Sequence, residues 1–199
     1  MMRWQSLSGG VVLALSLAGC ASPPPERFYS LSNGMAPAAS VPNPGYYIEV
    51  QNVTVPQQVS RSQLVVTSGE GRVDLLEQER WSSPPAAEIG QALSLAISGE
   101  LGAIDVFRTP QPEKATVYRI NTNVQRFESA PGNYALLDAV WSVRVAGSAQ
   151  VLACRSTARE EVGAGYDALV MGHRRAIARV AADIAKAVRS QAAGKGVCP

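Results

Sequence analysis

The side chains in this sequence that could carry chemistry are few and scattered. The chain of 199 residues has one histidine, His173. A lone imidazole makes no three-ligand zinc site without carboxylates at helical spacing, and none accompany it. A Ser-His-Asp arrangement is formally open to it, but there is no Gly-x-Ser-x-Gly elbow. His173 lies three residues after Val170 and four before Ile177, on or beside the apolar stripe of a helix. That position predicts a core-edge histidine with a hydrogen-bond partner. The stretch "SGEGR" at 68–72 lacks the Lys and spacing of a phosphate loop and reads as a turn. Asp74, Glu77 and Glu79 read as a solvated strand edge. His173-Arg174-Arg175 with Arg179 reads as a solvated helix face, the alternative being a patch for anionic head groups. No catalytic residue, metal or cofactor is expected, and the chain reads as non-enzymatic.

The cysteines carry a sharper signal. The chain opens "MMRWQSLSGGVVLALSLAGCASPPPERFYSL". The apolar run Val11–Ala18 is far short of the roughly 20 residues that a membrane-spanning helix needs, and suits an export signal with Arg3 ahead of it. Leu17-Ala18-Gly19-Cys20 resembles the bacterial lipobox. The resemblance implies cleavage after Gly19 and acylation of Cys20 with three chains, including an N-linked one. One acyl chain anchors marginally, and several anchor stably. Ala21, where Asp would favour the inner membrane, implies passage to the outer membrane, with the body facing the periplasm. Cys154 and Cys198 then remain as an even pair in an oxidising compartment, which predicts a bridge; two free thiols are the alternative.

Without Arg3 the basic and acidic side chains nearly balance, so no nucleic-acid footprint is expected. Hydrophobic residues are 46% of the chain, enough for one sizeable core. Residues 1–19 read as the signal peptide, 20–45 as the lipidated cysteine and a Pro-rich tether, and 46–199 as a single domain. "RFYSL" at 27–31 interrupts the tether as a short edge strand or docking peg. The body begins with a strand from Tyr46 and a hairpin around "SGEG". A helix follows over roughly 85–101, with Ile89, Leu93, Ile97 and Leu101 on one face, Ser83 as its cap and Gly102 as its stop. Three alternating strands come next, over 116–127, 134–145 and 149–160. Among their residues, Trp141 is placed centrally on the buried face. A long helix closes the chain, with Val170, Ile177, Val180, Ile184 and Val188 on one stripe. The order predicts an α+β fold: an antiparallel sheet with two amphipathic helices packed on one face.

Several stretches together resemble the family of ABC-type transport auxiliary lipoproteins. "RFYSL" is similar to its Tyr-x-Leu opening, and "VTVPQQVSRSQLVV" to its Pro-spacer-Arg segment. "RWSSPP" resembles its entry to the first helix, with Pro85 where the family has Leu. "VQRFE", "LLDAVWSV" and "GHRRAIARVAADIAKAV" resemble its later strands and final helix. The resemblance covers about 27–189. It implies an outer-membrane lipoprotein subunit of an intermembrane lipid transport system built on an ABC permease, an ATPase and a membrane-anchored protein with MCE domains. The MCE-domain protein is the implied partner, and self-association into several copies is plausible against a closed partner assembly. Phe28 and Tyr29, with Arg174, Arg175 and Arg179, are the candidate partner contacts. Two other readings stand beside this one: a periplasmic lipoprotein hydrolase using His173 and a serine, and a structural lipoprotein of outer-membrane assembly.

Overall fold

The computed structural model describes residues 24–35, 44–110 and 113–199. The expected signal peptide, Cys20, and residues 21–23 and 36–43 of the expected tether lie outside the described residues.

The fold is α+β, with two small sheets where the alternation suggested one. The larger sheet has the order β2-β5-β6-β7, built from Tyr46–Val50, Thr116–Ala130, Tyr134–Val145 and Leu152–Glu161. The smaller has the order β1-β4-β3, from Arg27–Tyr29, Arg72–Trp81 and Gln63–Gly69. The three late strands and the β3–β4 hairpin are antiparallel, as expected. The two early strands are not: β1 runs parallel to β4, and β2 parallel to β5. Alternation within a strand reports which face is buried and says nothing of neighbour or direction. Both sheets are therefore mixed for a reason the local pattern does not encode.

The helices are α1, Pro85–Leu101, and α2, Tyr166–Ala192. They pack side by side, α2 across β6 and β7 and α1 beside it toward β2. Ser83 does not cap α1. Pro84 holds the cap position without a side-chain bond, and Pro85 fills the first helical position, where its missing N–H is no loss. Gly102 ends the helix in the left-handed region at φ 64°, its N–H bonding Ser98 O at 2.8 Å. Gly172 lets α2 lie close against Ala135 of β6 and Val162. A Cβ there would meet Val162 Cγ1 at 2.2 Å and Ala135 Cβ at 3.0 Å, so only glycine lets the helix seat.

The predicted stripes are the core. Ile89, Leu93 and Ile97 of α1 and Ile177, Val180, Ile184 and Val188 of α2 are fully buried. Trp141 lies among them at 1% exposure, its Nε1 donating to Ser156 Oγ at 3.1 Å. The core cluster runs from Leu31 to Val188. All of its members lie within the described residues.

Candidate functional site

The place where the tether meets the body is the most built polar site in the molecule. Strand β1 is only three residues long, too short to hold by its own ladder. It is held by side chains instead. The Tyr29 hydroxyl donates to Glu79 Oε2 at 2.6 Å, and Arg27 Nε donates to both oxygens of the same carboxylate at 2.9 and 3.1 Å. Burial, and then the bond to Glu79, pushes the Tyr29 phenol up to about 12, so it remains a donor. Glu79 is therefore not a solvated strand edge. It is buried at 5% exposure, and only its neighbours Asp74 and Glu77 are exposed.

Two residues on, the chain is pinned again. Leu31 is fully buried, and its N–H donates to Glu88 Oε2 at 2.7 Å. Ser30 Oγ donates to the same oxygen at 3.0 Å and Ser82 Oγ to Oε1 at 2.7 Å. Glu88, 3% exposed, is the acidic residue of the first turn of α1, where the helix dipole favours it. A lone carboxylate in the opening turn of a helix as apolar as "PAAEIGQALSLAISGEL" was the available signal for this site.

The α2 arginines reach the same region. Arg174 donates to the carbonyl oxygen of Ser30, from Nη2 at 2.6 Å and Nε at 3.2 Å. Arg175 Nε donates to Glu160 Oε2 at 3.1 Å, and Arg179 Nε lies 2.6 Å from Glu160 Oε1. One buried carboxylate thus holds two half-exposed guanidiniums, and the face keeps a positive balance. Phe28 stands 62% exposed at its edge. The structure therefore brings Phe28, Tyr29 and Arg174 to one surface, with Arg175 and Arg179 continuing along α2.

His173 is elsewhere in kind. It is fully buried, stacked on Phe127 at 4.1 Å between ring centroids, with Ser129 Oγ 2.8 Å from its Nε2. Nδ1 meets no hydrogen-bonding atom among the described residues. A nucleophilic triad needs a carboxylate there to orient the ring. Burial pushes the imidazole down to about 3, so it is neutral, and Ser129 is itself buried at 3% exposure. The pair is core. Among the described residues no cluster of His, Cys, Asp and Glu could hold a metal. Cys154 and Cys198 form a disulfide, with Cα atoms 5.8 Å apart, tying the C-terminal tail to β7.

Fold and site together give a single body, pinned at the foot of its N-terminal segment, with its one histidine sealed in the core. The chain belongs to the family of ABC-type transport auxiliary lipoprotein components, whose model matches residues 29–185. The match begins at Tyr29, the residue that docks on Glu79. Among the described residues no helix is long and apolar enough to cross a membrane. A solved protein described only as uncharacterized shares the fold with a TM-score of 0.66 at 17% identity, over 82% of this chain and 99% of that one. A protein from Xanthomonas campestris, of the family DUF330, does so with a TM-score of 0.59 at 16% identity, over 83% and 99%. No curated protein matches the chain in sequence.

Proposed function

We propose that this protein is the outer-membrane subunit of an MCE/ABC-type intermembrane lipid transport system. In this reading it is lipid-anchored through Cys20, faces the periplasm, and docks the MCE-domain protein without doing chemistry. The observation that carries the reading is the pinning of residues 27–31. Glu79 and Glu88 hold residues 27–31 against the body by hydrogen bonds, which shortens the free length of chain between Cys20 and the body. An accessory subunit that must meet a partner at a fixed place needs that; a freely swinging enzyme does not. The exposed contact surface is then Phe28 with the outward sides of Arg174, Arg175 and Arg179, and Tyr29 serves as its support. The buried Ser129–His173 pair favours docking over the hydrolase reading.

The test is capture of the MCE-domain protein by the soluble body from Pro24 onward, beside a membrane-permeability assay of a deletion strain. Binding that is lost in Arg175→Glu together with Arg179→Glu, and a leaky barrier restored by the wild-type gene, are expected. No capture at high micromolar concentration, with an intact barrier in the deletion strain, overturns the proposal. A Cys20→Ser chain that is still cleaved and still fractionates with the outer membrane overturns the anchor.

A further inference from the structure

The two helices differ in what they show to solvent. The outward side of α2 is charged, with Arg175, Arg179 and Lys186 on it. Helix α1 runs 17 residues with two carboxylates, of which Glu88 points inward and Glu100 lies in the last turn. Its outward side is Ala86, Ala87, Gly90 and Leu95, with Gln91 and Ser94 as the polar members, the Ser94 hydroxyl turned to Asp105. A helix apolar nearly all round is one whose outer face is covered. That face is the floor of a groove of about 720 Å³, walled by Val53 and Phe107. The volume is within the range of small-molecule sites, roughly 300–1,000 Å³.

The walls show what kind of occupant fits. A peptide adding as a strand needs a row of free backbone donors. Here Asp105 Oδ1 accepts from the amides of Val50 at 3.2 Å and Phe107 at 3.0 Å, and Oδ2 accepts from Ser94 Oγ at 2.6 Å. The amides of Gln51 and Thr54 turn the other way, to Ile120 and Thr122. Asp105 and the amides of Val50, Gln51, Thr54 and Phe107 are thus already engaged, and the rest of the lining is apolar in its larger part, with Gln51, Asn52 and Thr109 as polar edges. At the rim stands Arg108, exposed and 5.9 Å from the Phe107 ring, with no ion-pair partner among the described residues. A slot of apolar contact ending at a free cation is complementary to a single apolar chain with an anionic head.

We propose that the groove over α1 is a binding site for an anionic single-chain amphiphile, its tail along Ala87, Gly90 and Leu95 and its head group on Arg108. The proposal deepens the lipid-transport reading and rests on it. It would let the subunit hold a lipid, as well as dock a partner.

The experiment is calorimetric titration of the soluble body with dodecyl phosphate and with uncharged dodecyl maltoside, both below micelle formation. Gly90→Leu fills the slot. A Cβ at this position would meet only Val53, at 3.5 and 4.0 Å, which is ordinary contact, and leucine is the better helix former; a melt of the variant checks its fold. Arg108→Glu reverses the rim charge. Saturable one-to-one binding is expected, lost for both probes in Gly90→Leu. In Arg108→Glu it should weaken about tenfold for the phosphate alone, the worth of one charge-assisted contact. No saturation below micelle formation, or binding indifferent to both substitutions, overturns the proposal. So does a wild-type dimer that Gly90→Leu dissolves, since the occupant is then a second copy. Gly90→Leu that still captures the MCE-domain protein, in the absence of any amphiphile binding by wild type, sinks the groove and leaves docking standing. Amphiphile binding without partner capture does the reverse.

Discussion

Arg174 of α2 and Ser30 of the tether's end are 144 residues apart in sequence and joined by two hydrogen bonds, from one guanidinium to one carbonyl oxygen. The last helix to be made therefore holds an early segment of the chain in place. The bond also turns two separate sequence features, an aromatic island and an arginine run, into one surface. Arg174 has a structural duty there; Arg175, held by Glu160 and the Glu161 carbonyl, and Arg179, held by Glu160, make no bond to the N-terminal segment in the structure and are the pair to probe for contact.

Glu88 is the keystone of the same join. Replacing it by Ala removes the acceptor of three donors, one of them the buried Leu31 amide. Leaving such donors unmet costs about 2–4 kcal/mol. Glu88→Ala should lower the urea midpoint accordingly and expose residues 27–33 to limited proteolysis before the rest of the body. Glu88→Gln, which keeps one acceptor oxygen, should recover part of the loss. A variant as stable and as protease-resistant as wild type would refute the pinning.

His173 predicts a pH dependence whose sign follows from its burial. The folded imidazole stays neutral down to about pH 3, while the unfolded one takes up a proton near its ordinary value of roughly 6.5. Between those values the unfolded state binds more protons, so stability is full above roughly 6.5 and falls as pH drops, by up to about 1.4 kcal/mol per unit. Asp138 adds to the fall at the acid end. The Arg155 hydrogen bond, with that of Thr157, holds its carboxyl below the usual range, and its contribution goes as pH passes below roughly 4. Denaturation midpoints measured from pH 7 to 4 should decline less steeply in His173→Gln. Equal slopes would place His173 in contact with solvent.

Much of this was legible in the sequence. The helix stripes, the hairpin and the meander are periodicities, and periodicity reports burial directly: Ile89, Leu93, Ile97 and Trp141 are where alternation and the four-residue repeat put them. Strand neighbours were not legible. Nothing in "RFY" or "YYIEV" says that each adds in parallel to a strand far along the chain. Glu79 was misread because its partners, Arg27 and Tyr29, are about 50 residues away. At short range it looks like one more charge in an acidic run. The groove over α1 was hidden for a similar reason. The stripe that marks α1 as core describes its inner face, and the chargeless outer face acquires meaning only beside Phe107 and Arg108.

The disulfide closes a separation of 44 residues between Cys154 and Cys198. By chain entropy such a loop is worth about 4 kcal/mol. Cys198→Ser should lower stability by that order and free the tail after Ala192, seen as faster amide exchange over 193–199. Alkylation of unreduced periplasmic protein should leave both thiols unmodified. Two alkylated cysteines would show that the bridge does not form in the cell.

Phe28 and Leu31 are three residues apart and should behave oppositely. Leu31 is fully buried, and Leu31→Ala should cost about 2–5 kcal/mol, the range for truncating a core leucine. Phe28 is 62% exposed, and its truncation removes little that folding had buried. Phe28→Ala should therefore leave the melting temperature within about 2 °C of wild type, in keeping with the roughly 0.5 kcal/mol typical of surface substitutions. Its effect should fall on capture of the MCE-domain protein, because an exposed aromatic beside cationic side chains is the composition of an interface anchor. Two readings on each variant decide the matter: a thermal melt and a pull-down at fixed concentration. Loss of capture in Phe28→Ala with an unchanged melt assigns the residue to the contact surface. Full capture with an unchanged melt removes it, and leaves the α2 arginines to carry the interface alone.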